Sequence, residues 1–211
     1  MRLADEFFLI SWDTAHQGRP RLNPGTVALG LGGALLAELM LQDRITVRGS
    51  ELRILSSQPV EDPLTGDLLA QIRDAPQHTG VRTWLAYLAG DAVENVAERM
   101  RESDLIHREQ SRSLWRIRVR YLAVDFIVCS WPAARLALTL TKREPIGLSG
   151  MVLAGLMEAT GLFESVVSNP ADRPASRQYL DVLLASLPPP YVDLIGQLKA
   201  AVGDAVLAYR G

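Results

Sequence analysis

Three histidines, one cysteine and a crowd of arginines are the side chains of this 211-residue chain whose chemistry would show first. His16, His78 and His107 lie far apart. None has a metal-type partner three or four residues on, as a zinc ligand set requires. Cys129 sits in FIVCSWP, an apolar setting that reads as packed core rather than as a nucleophile. No G-x-S-x-G elbow is present, and no G-x-G-x-x-G follows a strand. The pairs Asp5-Glu6 and Glu61-Asp62 read as helix starts or solvated surface, where acids suit the helix dipole. Glu38, inside LLAEL, reads as one half of a salt bridge near a helix end, with Arg44 as the expected partner. Acid, base and nucleophile do not assemble. The expectation is a protein that is not an enzyme and carries no metal or cofactor.

The arginines do form a pattern. In DLIHREQSRSLWRIRVRYLAVD, residues 104–125, Trp115, Ile117, Val119 and Tyr121 alternate with Arg116, Arg118 and Arg120. A period of two belongs to a strand, so these arginines share one face of a hairpin. Arg108 and Arg112 are nearby, Glu109 is the opposing acid, and Leu114 and Trp115 fall at the bend. The formal net charge is -2, so an anionic partner must be met by a local patch such as this one.

Three readings of the ribbon stay open. It is an ordinary strand with a solvated basic face. Or it docks on a membrane, with Leu114 and Trp115 in the interface and each arginine adding about 1 kcal/mol against anionic headgroups. Two apolar tips add roughly 2 to 5 kcal/mol, so stable docking calls for several copies on a homo-oligomer. Or a short helix and basic hairpin act as a winged helix on nucleic-acid phosphates. The preceding helix carries Glu94, Glu98 and Glu102, which makes nucleic acid the weaker partner.

The elements that must position this ribbon are mostly helices, since Ala and Leu dominate the apolar set. Residues 3–12 form a first short helix, and Gly18, Pro20, Pro24 and Gly25 mark a loop after it. Residues 26–42 read as a buried helix whose Gly30, Gly32 and Gly33 serve close packing; the other option, a phosphate-cradling loop, lacks the spacing and the lysine of a P-loop. RITVRGSELRIL is a hairpin turning at Gly49-Ser50. A helix capped near Thr65 or Asp67 follows, then helices in TWLAYLAG and DAVENVAERMRESD. Further helices cover 131–142, 147–167 with a break near Gly161, and 176–186, with NPADRPAS as a loop. A last helix begins after the prolines of LPPPYVD. The sum is a mainly α, single-domain helical bundle over residues 1–211, with surrounding helices and small β-hairpins.

One cysteine precludes an intramolecular disulfide, which fits a reducing compartment. The opening MRLADEFFLISWD has too short an apolar run, with acids inside it, for a signal peptide. No stretch reads as the roughly 18 to 20 apolar residues that span a bilayer. The chain is expected to be cytoplasmic, with any membrane contact peripheral.

An ordered set of motifs then points to a family. LADEFFLISWD resembles the leading helix of the Golgi phosphoprotein 3 family. GLGGALLAELMLQDRI is similar to that family's most specific segment, and DPLTGDLLAQI to its P-T-G-D-x-L-L segment. TWLAYLAG, VENVAERMRESDLI, the hairpin and REPIGLSGMVLAGLMEATGLFESVV follow in the family's order. The style of the motifs resembles bacterial, notably actinobacterial, members.

The resemblance implies a helical bundle with a protruding apolar hairpin. It also implies a non-enzymatic peripheral membrane protein that binds phosphatidylinositol 4-phosphate and serves as an adaptor for a client protein. The positions aligned with the family's headgroup ligands hold Asn23, Gly32, Gly90 and Val93, none basic or aromatic. The residues expected to meet an anionic or phosphoinositide-containing membrane, at the cytoplasmic face, are therefore Arg19, Arg21, Arg112, Leu114, Trp115, Arg116 and Arg118.

Overall fold

A computed structural model describes residues 1–113 and 116–208 of the chain, with the backbone alone at 111–113, 116–118 and 208. Helices dominate the described residues and the sheets are small two-stranded pieces, so the fold is mainly α. The first helices are α1 (Leu3–Ser11), α2 (Pro24–Leu41), α3 (Pro63–Asp74), α4 (Val81–Leu88) and α5 (Ala92–Glu102). After the arginine hairpin come α6 (Phe126–Lys142), α7 (Leu148–Thr160), α8 (Phe163–Val166), α9 (Arg173–Ala185) and α10 (Pro189–Ala208). The three ladders pair β1 (Trp12–Asp13) with β2 (Arg19–Pro20), β3 (Ile45–Arg48) with β4 (Glu51–Ile54), and β5 (Ile106–Ser113) with β6 (Arg116–Ala123).

The bundle is built around α2. Asn23 caps it by accepting a hydrogen bond from the Gly25 amide at 2.9 Å, and Pro24 occupies its first turn. From Thr26 to Met40 every residue is buried, ringed by α1, α4, α5, α7 and α10. By length and hydropathy alone this helix is apolar enough to cross a bilayer; buried among its neighbours, it is the core helix. The glycines set the packing distance. A methyl at Gly30 would stand 2.3 Å from the Phe7 ring, and one at Gly33 would stand 3.2 Å from Leu198. Gly32 lies equally close to Leu88 of α4.

The one carboxylate in this apolar helix explains how its neighbours are held. Glu38 pairs not with Arg44 but with Arg99 of α5, at 3.0 Å. Arg44 instead donates to the Gln42 carbonyl. The same guanidinium reaches Asp5 of α1 at 2.7 Å and Asp62, ahead of α3, at 2.9 Å. All three carboxylates are buried. Each also accepts backbone hydrogen bonds, Asp5 from the Arg2 amide, Glu38 from Ala4 and Asp62 from Thr65. Asp62, rather than Thr65 or Asp67, is thus the cap of α3.

Three carboxylates share Arg99, with Arg2 adding a longer contact to Asp62. Burial opposes the charge on Arg99, but hydrogen bonding and attraction from Glu38 and Asp5 outweigh it and hold the guanidinium firmly protonated. Burial also pushes the Glu38 carboxyl above its ordinary value, against the pull of Arg99. Burial works the same way on Asp62, but there the Thr65 hydrogen bonds and Arg99 win and hold the carboxyl low.

Two boundaries differ from expectation. Helix α6 begins at Phe126, five residues before the anticipated start, because the Asp125 carboxylate caps both the Ile127 and Val128 amides; Pro132 lies within the helix. Helix α9 begins at Arg173, with Pro174 in its first turn, after a short 3-10 turn over Pro170–Asp172.

Replacing Arg99 with Met leaves three buried carboxylates without their shared cation. This variant should lose about 3–5 kcal/mol of stability in urea unfolding. Because the folded pKa of Asp62 lies below 3.8, its contribution is present above the unfolded value and lost as pH falls through the folded one. Asp62→Asn should therefore lower the urea midpoint at pH 7, and the deficit should narrow as the buffer is taken below pH 3.8.

Candidate functional site

The hairpin begins where α5 ends. Its register runs from Ile106↔Ala123 to Ser113↔Arg116. Leu114 and Trp115, expected at the bend, lie outside the described residues; Arg112, Arg116 and Arg118 are described by their backbone pairing alone. At the base of the ribbon the alternation holds. Ile106 and Tyr121 are buried, Val119 packs against the core, and Arg120 takes the other side. The register pairs Arg108 with Tyr121 and Arg112 with Ile117. These two arginines thus fall in the row of Tyr121, not in the row of Arg120, so the basic residues divide between the two rows.

Tyr121 fixes the base to the body. Its ring meets Phe8 of α1 edge-on at 5.6 Å and Trp12 at 5.4 Å, while Phe8 and Trp12 stack at 5.0 Å. Such an aromatic trio sets angles as well as burying area. Burial raises the Tyr121 phenol above its ordinary pKa.

The second support is the loop between β1 and β2, which carries the other two predicted arginines to the ribbon. The Tyr121 amide donates to Gly18 O at 3.1 Å and the Ala123 amide to Thr14 O at 3.0 Å. The Arg120 guanidinium donates to the carbonyls of Gln17, at 2.8 Å, and His16, at 3.2 Å. The outer edge of β6 is thereby closed at its base. Gly18 has φ +63°, and a methyl there would come within 2.9 Å of Arg120 Cβ and 3.2 Å of the Tyr121 nitrogen. Arg19 and Arg21 leave this loop exposed, with Arg21 3.6 Å from Asp13. The structure thus seats the loop that precedes Arg19 and Arg21 on the base of β6, a contact that sequence separation conceals.

The other polar candidates take separate places. His16 lies against Asp13 at 3.4 Å, and His107 is 3.8 Å from Glu109. Cys129 is buried, its thiol donating to Leu105 O at 3.2 Å, and burial raises its pKa. Helix α5 turns Arg99 inward and leaves Glu94, Glu98, Arg101 and Glu102 outside, a net negative face unsuited to a nucleic-acid groove. Of the positions aligned with headgroup ligands, Asn23 is spent on its cap and Gly32 on packing. A cleft of about 160 Å³ beside Leu88 and Ala92 carries Asp67 and Asp91, the wrong sign for a phosphate.

One feature escaped the sequence reading. The apolar run around Cys129 reads as core, yet only Cys129 and Pro132 of it turn fully inward. Phe126, Ile127, Val128 and Trp131 are exposed, and so is Val124 before them. The signal was the spacing of Ile127, Trp131 and Leu138, which puts all three on one line of a helix once the helix starts at Phe126.

Residues 3–207 match the family described as Golgi phosphoprotein 3 (GPP34), in agreement with the motif order. No curated protein matches the chain.

A side chain at Gly18 must push the loop away from β6. Gly18→Ala should cost about 1–3 kcal/mol, the range for a strained left-handed residue. Hydrogen exchange should show the Tyr121 and Ala123 amides losing protection while the amides of α2 keep theirs.

Proposed function

The chain belongs to the Golgi phosphoprotein 3 family, and on that premise we propose that it is a non-enzymatic, peripheral membrane-binding protein. Acting as one domain over residues 1–211, it docks on an anionic leaflet through the arginine hairpin. Arg112, Arg116 and Arg118 meet headgroups, Leu114 and Trp115 enter the interface, and Arg19 and Arg21 add charge from the side. The observation that carries this reading is the seating of the loop before Arg19 and Arg21 on the base of the arginine strand. That contact supports the reading because it sets the segment leading to Arg19 and Arg21 beside the strand whose sequence carries the arginines.

Recognition in this reading is by charge and apolar depth rather than by one headgroup. Asn23 and Gly32 offer no cation, and the neighbouring cleft bears Asp67 and Asp91. The family's preference for phosphatidylinositol 4-phosphate is accordingly proposed to be lost here. A membrane-bound adaptor for a client protein, at the cytoplasmic face and in more than one copy, is the role that fits such docking.

Co-sedimentation with neutral and anionic liposomes, at low and moderate salt, tests the proposal. Wild type should bind the anionic vesicles and release them as salt rises. Arg116→Ala/Arg118→Ala should weaken binding about tenfold or more, since each cation contributes about 1 kcal/mol. Leu114→Ser/Trp115→Ser should weaken binding at both salt concentrations. At matched vesicle charge, phosphatidylinositol 4-phosphate should bring no advantage over phosphatidylserine. Absence of wild-type binding to anionic vesicles overturns the reading.

A further inference from the structure

The outward face of α6 has no partner among the described residues and is apolar along most of its length. Ile127 is 76% exposed and Trp131 58%, with Leu138 continuing the line and Phe126, Val128 and Val124 exposed around its start. The spacings of four and seven residues keep Ile127, Trp131 and Leu138 on one side of the helix. The inward side, through Cys129, Pro132, Leu136 and Leu140, is already buried, with α6 packed against α1 and α9. A contiguous apolar face of this kind marks a contact surface rather than scattered exposure.

Its charges choose the occupant. From Phe126 to Arg143 the sequence contains no Asp or Glu, only Arg135, Lys142 and Arg143. Asp125, the acid at the start, has its carboxylate turned to the Ile127 and Val128 amides as a cap. Arg135 is bound by Glu6 at 2.8 Å, while Lys142 and Arg143 are exposed. An apolar line with a tryptophan, free of acids along its own length and with Lys142 and Arg143 exposed at its end ahead of Glu144, matches the interface of an anionic bilayer.

Position agrees with charge. The Phe126 ring lies 6.5 Å from His16, in the loop that leads to Arg19. The Val124 amide donates to Leu105 O at the foot of the hairpin. The α6 face therefore starts at the base of the arginine ribbon.

We infer that the exposed face of α6, centred on Ile127 and Trp131, is a second membrane-docking surface that lies flat in the interface of an anionic bilayer. This rests on the membrane-binding reading above and adds an element to it. The hairpin supplies most of the charge, and α6 adds apolar area to that of the Leu114–Trp115 tip.

The test uses full-length protein and vesicles of phosphatidylcholine alone or mixed with an equal part of phosphatidylserine. Ile127→Ser/Trp131→Ser alters only exposed positions, and unchanged circular dichroism and thermal midpoint will show that it folds. Its binding to the mixed vesicles should fall at least tenfold. A second protein carries Ile127→Cys with Cys129→Ser and an environment-sensitive fluorophore on the new cysteine; vesicles should shift its emission to the blue.

Wild-type binding that survives Ile127→Ser/Trp131→Ser, with no emission shift, overturns this inference and leaves the hairpin reading standing. Loss of wild-type binding altogether would instead remove the reading it rests on. Concentration-dependent self-association in sedimentation velocity, abolished by the double substitution while vesicle binding is kept, would make the face a contact between two copies and likewise overturn the inference.

Discussion

The grip of Arg99 on three buried carboxylates is the constraint on which the rest of this structure depends. Each acid belongs to a different part of the chain: Asp5 to α1, Glu38 to α2 and Asp62 to the start of α3. Apolar packing is non-directional and would tolerate some sliding of α5 over the α2 surface. A planar fork that must satisfy three carboxylates permits one position. What is fixed is therefore relative orientation, at the cost of burying charge.

That orientation propagates to the hairpin end by the shortest covalent routes. Helix α5 leads into β5, so the arginine hairpin inherits its direction from the helix that Arg99 anchors. Helix α1 leads through Trp12 into the β1–β2 loop, so Arg19 and Arg21 inherit theirs from Asp5. The two branches meet again at the ring trio of Phe8, Trp12 and Tyr121 and at the loop carbonyls that Arg120 reaches. The hairpin base is thus held by the ring trio and along one edge of β6.

The same end of the molecule gathers features that would be costly elsewhere. An exposed tryptophan, phenylalanine and isoleucine on one helix lower solubility and invite association. A row of arginines repels itself. In the docking proposed above they would complement an anionic apolar boundary, the cations at the headgroups and the rings toward the acyl chains.

Much of this was legible in the sequence because it is local or periodic. The strand alternation around Arg116, Arg118 and Arg120, the turn at Gly49-Ser50, the burial of 26–42 and the order of the family motifs all lie within short windows, and the fold follows them. The glycines of α2 announced close packing, though not that Phe7 and Leu198 would fill the space. The start of α6 was not legible, because Pro132 resembles a boundary and the Asp125 cap that overrides it is a single residue's geometry; with that start hidden, the outward line of Ile127, Trp131 and Leu138 was hidden too. The partner of Glu38 was not legible either, since Arg44 is near in sequence and Arg99 is 61 residues away. Sequence determines which side chains carry charge or apolar area and what period they follow. Only the tertiary structure decides which distant charges become neighbours and which apolar residues are left outside, because both depend on how helices pack around α2 and not on any window of the chain.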